Sequence, residues 1–174
     1  MKPLVIAALL TALAAGCGRA QGSSTETGSP ARCAGPEFRQ FDFWLGEWDC
    51  SWSEDGRGTN SVYLDLGDAV VVESFDARPT MDYQGMSFSV YDRSAGCWKQ
   101  TWVDTDANYL DFVGSYADGE MDLRRRAEFE GGAALFRMRW HSIESNALEW
   151  EYARSDDGGA SWSLLWEIHY SRVL

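Results

Sequence analysis

Histidine is almost missing from this chain: among 174 residues only His141 and His169 carry an imidazole. Neither stands in an H-E-x-x-H pattern, and no two cysteines have C-x-x-C spacing, so the common zinc arrangements are excluded. A G-x-S-x-G elbow and a phosphate-binding glycine loop are missing as well, which removes the local signatures of an α/β-hydrolase and of a nucleotide site. Positive charge is scarce, with 15 Lys and Arg against 27 Asp and Glu and a net charge of −12. Nucleic acid and anionic membrane surfaces are therefore not expected partners. Long helical periods are also lacking. The longest apolar run, from Pro3 to Ala15, falls short of the roughly 20 residues needed to span a bilayer.

What is present begins at that run. Lys2, the apolar stretch and then Leu13-Ala14-Ala15-Gly16-Cys17 resemble a bacterial lipoprotein signal peptide ending in a lipobox. The resemblance implies a signal segment, 1–17, that ends at the lipobox cysteine, with cleavage just before Cys17, lipidation of Cys17 as the first residue of the mature chain and, with Gly18 rather than Asp next, passage to the outer membrane. An exported protein facing the periplasm or the cell exterior is the expected location. Residues 18–36 are rich in Gly, Ser, Thr and Pro and nearly devoid of apolar side chains, so they cannot offset ordering entropy and are expected to form a flexible tether. Residues 37–174 suit one domain with one core.

From Glu47 onward, apolar and polar residues alternate with period two over short segments punctuated by Gly, Asp, Asn or Ser. Strands are predicted at 47–53, 60–66, 69–75, 85–92, 97–103, 108–116, 119–129, 133–142, 147–154 and 162–172, with a short helical turn over Phe38 to Leu45. Ten strands with short connections predict an all-β, antiparallel up-and-down barrel of 8–10 strands, because closure removes exposed sheet edges.

The alternation also assigns faces. The inner face is expected to carry Trp48, Cys50 and Trp52; Val62, Leu64 and Leu66; Met86, Phe88 and Val90; Trp98, Gln100 and Trp102; Phe136, Met138 and Trp140; Leu148, Trp150 and Tyr152; and Trp162, Leu164, Trp166, Ile168 and Tyr170. Lys99, Arg137, Arg139, His141, Glu149, Glu151 and His169 then face outward. A one-residue register slip would exchange the two sets. Cys50 and Cys97 fall on opposite faces, so a Cys33–Cys97 disulfide with a buried free Cys50 is expected in an oxidising compartment.

FDFWLGEWDC (41–50) contains Gly46-Glu47-Trp48, which is similar to the Gly-x-Trp signature of lipocalins and the wider calycin group. Together with YDRSAGCWKQTWVD (91–104) and WEYARSDDGGASWSLLWEIHYSR (150–172), it resembles an uncharacterised bacterial family of calycin-like domains over residues 38–173. The resemblance implies a calycin-like barrel in which Trp48 plugs one end beside Arg172, and it implies no activity. Phe41, Phe43 and Trp44 then read as the rest of the plug, since aromatic rings are efficient core closure.

Ser155-Asp156-Asp157-Gly158-Gly159-Ala160-Ser161-Trp162 fits the Asp-box pattern of sialidases, but a single copy leaves no room for a propeller. It reads as a turn, with Asp157 accepting backbone N–H groups, Gly158 and Gly159 supplying positive φ, and Trp162 anchoring the following strand. Within the barrel, Gln100 and Arg125 are polar residues on an apolar face. Arg125 is expected either to pair with a carboxylate such as Asp111 or Glu73, or to orient a ligand's polar end with Gln100 among Trp102, Trp140 and Trp150. The resulting expectation is a monomeric, lipid-anchored barrel with no cofactor or metal that binds one small apolar or amphipathic ligand. The alternatives are a side-chain-filled structural or interaction barrel, then a hydrolase, then a haem barrel that uses His169 as axial ligand, as nitrobindin-like barrels use one histidine.

Overall fold

The structure is a computed structural model and describes residues 33–129 and 132–174. The expected signal peptide, Cys17 and most of the expected tether therefore lie outside the described residues. Two 3-10 turns, Pro36–Arg39 and Asp42–Trp44, lead into ten strands: β1 Gly46–Ser51, β2 Arg57–Asp65, β3 Val70–Asp76, β4 Gln84–Asp92, β5 Cys97–Asp104, β6 Tyr109–Ala117, β7 Glu120–Phe129, β8 Gly132–His141, β9 Ala147–Ser155 and β10 Ser163–Arg172. Each strand pairs antiparallel with its sequence neighbours, and β1 pairs with β10, so the sheet closes as an all-β up-and-down barrel. All ten expected strands are present.

Turn chemistry fixes the register locally. Between β6 and β7, pairing of Ala117 with Glu120 leaves a two-residue loop, Asp118-Gly119, with φ of 54° and 83°. Such positive angles suit the twist of a tight hairpin and favour Asp-Gly. The β9–β10 loop is the Asp-box turn: Asp157 accepts hydrogen bonds from Ser161 N (2.9 Å), Ser161 Oγ (2.6 Å) and Ser155 Oγ (2.7 Å). Gly158 and Gly159 adopt φ of 75° and 97°. The turn reading of that segment holds.

One end of the barrel is closed by the aromatic stretch that precedes and opens β1. Phe41, Trp44 and Trp48 are fully buried. Phe41 meets Trp98 and Trp140 edge-on at 4.8 and 5.4 Å, and Trp44 meets Trp140 at 5.1 Å. The Trp48 indole donates to Trp44 O at 2.8 Å. The Arg172 guanidinium lies 4.1 Å from the centre of the Trp48 ring and donates to the carbonyls of Phe43, Leu45 and Ser145. Gly46 has φ of 125°, and a Cβ there would collide with the same guanidinium. The glycine, the tryptophan and the arginine are thus one interlocked unit.

Three face assignments need correction. On β4 the inward residues are Gly85, Ser87 and Ser89, whereas Met86, Phe88 and Val90 are exposed. Small residues are needed inside because Trp102 crosses the β4 backbone: a Cβ on Gly85 would overlap the Trp102 ring. On β10 a bulge between Leu164 and Trp166 inserts Leu165, which reverses parity. Leu164 is consequently exposed, and Trp162 lies outside the barrel against the guanidinium groups of Arg137 (4.5 Å) and Arg124 (5.6 Å). Leu66 is also exposed, because β2 ends at Asp65 and Leu66 enters a turn with φ of 51°.

The expected disulfide is absent: Cys33, Cys50 and Cys97 are all free thiols. Cys97 starts β5 opposite Asp92 and points away from the interior, while Cys33 precedes the turn that seats Phe38 against Tyr91 over the plugged end. Cys50 is buried, as expected.

Candidate ligand cavity

Alternate connections of an up-and-down barrel emerge at alternate ends, so the end opposite the plug carries the loops after β1, β3, β5, β7 and β9. From that end a cavity of about 130 Å³ reaches into the interior. Its floor is buried and consists of Glu73, Phe112, Met138, Trp140, Ile168 and Tyr170. Half-buried rings of Tyr83, Trp102, Trp150, Tyr152 and Trp166 form its upper wall.

Each ring is placed by its neighbours. Trp166 stands edge-on to Trp150 (5.9 Å) and to Phe75 (5.7 Å), and Trp150 stacks on Tyr152 at 6.2 Å. At the mouth, Asp104 accepts hydrogen bonds from Tyr83 Oη (3.1 Å) and Trp102 Nε1 (3.0 Å), tying the β3–β4 loop to β5. Burial opposes ionisation of Asp104, but hydrogen bonds from Asn108, Trp102 and Tyr83 outweigh it and hold the carboxyl below the usual range. The Tyr83 hydroxyl is pushed upward by burial and by that carboxylate. Both groups keep one protonation state near neutral pH, so the mouth is a fixed frame.

The floor is where charge enters. Glu73 lies on β3, 5% exposed, and its side chain projects into the barrel. Oε1 accepts from Asn60 Nδ2 at 2.8 Å, and Oε2 accepts from Ser87 Oγ at 2.6 Å. The other Asn60 N–H donates to Tyr170 Oη at 3.2 Å. Burial raises the Glu73 carboxyl from its ordinary 4.5 to about 7, against the opposing pull of the Ser87 and Asn60 hydrogen bonds. Burial likewise pushes up the Tyr170 hydroxyl and the Cys50 thiol beside it. Glu73 is therefore the one group in this cluster that changes charge near neutral pH.

Of the residues that the sequence suggests for ligand contact, Trp102, Trp140 and Trp150 line the cavity. Gln100 does not: it is buried on β5, two residues before Trp102, with Nε2 donating to Ser89 Oγ at 2.9 Å and Oε1 without a partner. Arg125 makes no ion pair among the described residues, so its expected pairing with Asp111 or Glu73 is not formed. It lies at the open end, its guanidinium 5.9 Å from the Phe112 ring and 5.8 Å from the Phe136 ring, outside the cavity lining. The partner set of Glu73, namely Asn60, Ser87 and Tyr170, escapes sequence reading. The available signal is a lone carboxylate in the otherwise apolar run Ala69-Val70-Val71-Val72-Glu73.

Both histidines sit outside the barrel. His169 Nδ1 is 2.7 Å from Glu149 Oε1, and His141 Nε2 is 3.4 Å from Glu151 Oε1. With Ile168 and Tyr170 buried on either side of it, His169 cannot reach an iron held inside, and the axial-ligand alternative is corrected on that register. No protein-family model and no curated protein matches the chain.

Proposed function

We infer that the protein is a lipid-anchored envelope barrel that binds one small molecule in the aromatic cavity. The observation that carries this reading is the cavity itself: about 130 Å³ of space remains in a barrel otherwise filled by large rings. An engineered cavity of about 150 Å³ holds benzene, so the space suits a body of that order. A fatty acid chain is too large to be enclosed. The ligand is therefore a compact molecule, or the end group of a longer one whose remainder leaves through the mouth. Anchoring through Cys17 at the outer membrane, facing the periplasm or the exterior, follows from the lipobox resemblance, with 18–36 as tether.

Native mass spectrometry of the protein extracted gently from its own membranes tests carriage. An adduct of constant mass that is lost on unfolding supports the reading. Identical masses in the native and unfolded states, preparation after preparation, contradict a tightly held ligand.

A second reading has an observation of its own. On the outer face of β2–β6, Tyr63, Met86, Phe88, Val90, Val103 and Val113 are exposed, and register places Tyr63 and Phe88 on either side of the covered Val72 and Met86 beside Val103. Contiguous exposed apolar surface marks interaction sites. Sedimentation of the wild type against Phe88→Lys tests it: assembly in the wild type alone supports this reading, and monomers in both oppose self-association there.

A further inference from the structure

We propose that the cavity is a site for a small alkylammonium, with its nitrogen against Glu73 and its apolar body among Trp102, Trp150 and Trp166. This rests on reading the cavity as a ligand site and adds the class of ligand.

Five observations lead there. Among the residues that line the cavity, Glu73 is the only one able to carry a charge near neutral pH, and its charge is negative. Its carboxylate oxygens each receive one hydrogen bond, from Asn60 Nδ2 and Ser87 Oγ, so the group is held in place in a form ready to be an anion. No Lys, Arg or His acts on it among the described residues, and buried charge without a counter-charge is costly. The wall is lined by the rings of Trp102, Trp150 and Trp166, and the face of an indole ring attracts a cation rather than an anion. Arg125, the natural partner of an acidic ligand, stands outside the lining.

The same chemistry sets a proton balance. An ammonium that enters while Glu73 is neutral expels the carboxyl proton to solvent and leaves an ion pair. The other titratable groups facing Glu73 are Cys50 on β1 and Tyr170 on β10, both kept neutral by burial, while Asn60 on β2 and Ser87 on β4 do not titrate. Affinity for the ammonium therefore rises with pH until Glu73 is ionised and then levels off.

Calorimetric titration of the whole protein with butylammonium, n-butanol and butyrate, three probes of one size and different charge, tests the proposal. Butylammonium is expected to bind at least about ten-fold more tightly than butanol, with butyrate weakest. Glu73→Gln, which keeps the shape of the protonated acid, is expected to erase that preference. In the wild type, proton release on binding butylammonium is expected below pH 7 and not well above it. Butanol or butyrate binding as tightly as butylammonium would overturn the ammonium assignment while preserving a ligand cavity. No saturable binding by any of the three would overturn the cavity reading as well.

Discussion

Glu73 makes the sharpest residue-scale prediction, because one carboxyl is carried into the barrel on a strand whose other inward residues are Val71 and Phe75. Its folded-state pKa, about 7, lies above the ordinary 4.5. Between those values the unfolded chain has released the proton and the folded chain still holds it, so stability falls as pH rises through that window. The shift corresponds to roughly 3 kcal/mol. Glu73→Gln should remove this slope and leave the variant more stable than the wild type above pH 7, as read by denaturant unfolding across pH. Parallel curves for the two proteins would mean that the carboxyl is better solvated than its burial implies. Arg172 is the opposite case. Its fork serves three carbonyls and covers Trp48, so Arg172→Ala should cost roughly 3 kcal/mol. Arg172→Lys should recover little, since a single ammonium cannot span Phe43, Leu45 and Ser145. The arginine was legible through its resemblance to the Gly-x-Trp signature. Glu73 was legible only as a possible partner for Arg125, because residue type shows that a carboxylate is unusual in an apolar run but not which neighbours receive it.

At the scale of elements, strands and turns were legible because both have local causes: period-two alternation and residues that accept positive φ. Faces were legible wherever burial and apolarity agree, as in β1, β5, β8 and β9. They failed in β4 and at the start of β10 for separate reasons. In β4 the inward positions are small because a neighbouring strand sends Trp102 across them, a constraint that alternation within one strand cannot carry. In β10 one extra residue reverses parity, and a bulge leaves no mark on hydrophobic spacing. Gly85→Val therefore should displace the Trp102 ring, break its bond to Asp104 and change the near-ultraviolet circular dichroism while leaving the far-ultraviolet signal intact. The Asp-box turn makes a further prediction. Asp157→Ala removes the acceptor of three hydrogen bonds and should lower Tm by a few degrees without altering the ligand cavity. A larger loss, with β10 unpaired in hydrogen exchange, would show that the turn nucleates the strand as well as closing it.

For the whole molecule, closure was legible as the answer to ten strands that otherwise leave two edges exposed. Interior volume was not, because it is the small difference between the space ten strands enclose and the rings that fill it, and no single residue reports it. Location has its own test: Cys17→Ser should move the protein from the membrane fraction to the soluble fraction and abolish fatty-acid labelling. Labelling that persists would place the lipid elsewhere. The central claim, that the interior is a binding site rather than only a core, is tested most directly by filling it. Calorimetric titration of the wild type and of Leu110→Trp, a substitution on the cavity wall, with butylammonium and n-butanol should show one saturable site per chain in the wild type. The filled variant should show none, at an equal or higher Tm. Equal binding to both proteins, or no saturable binding to the wild type, would contradict a ligand site inside this barrel.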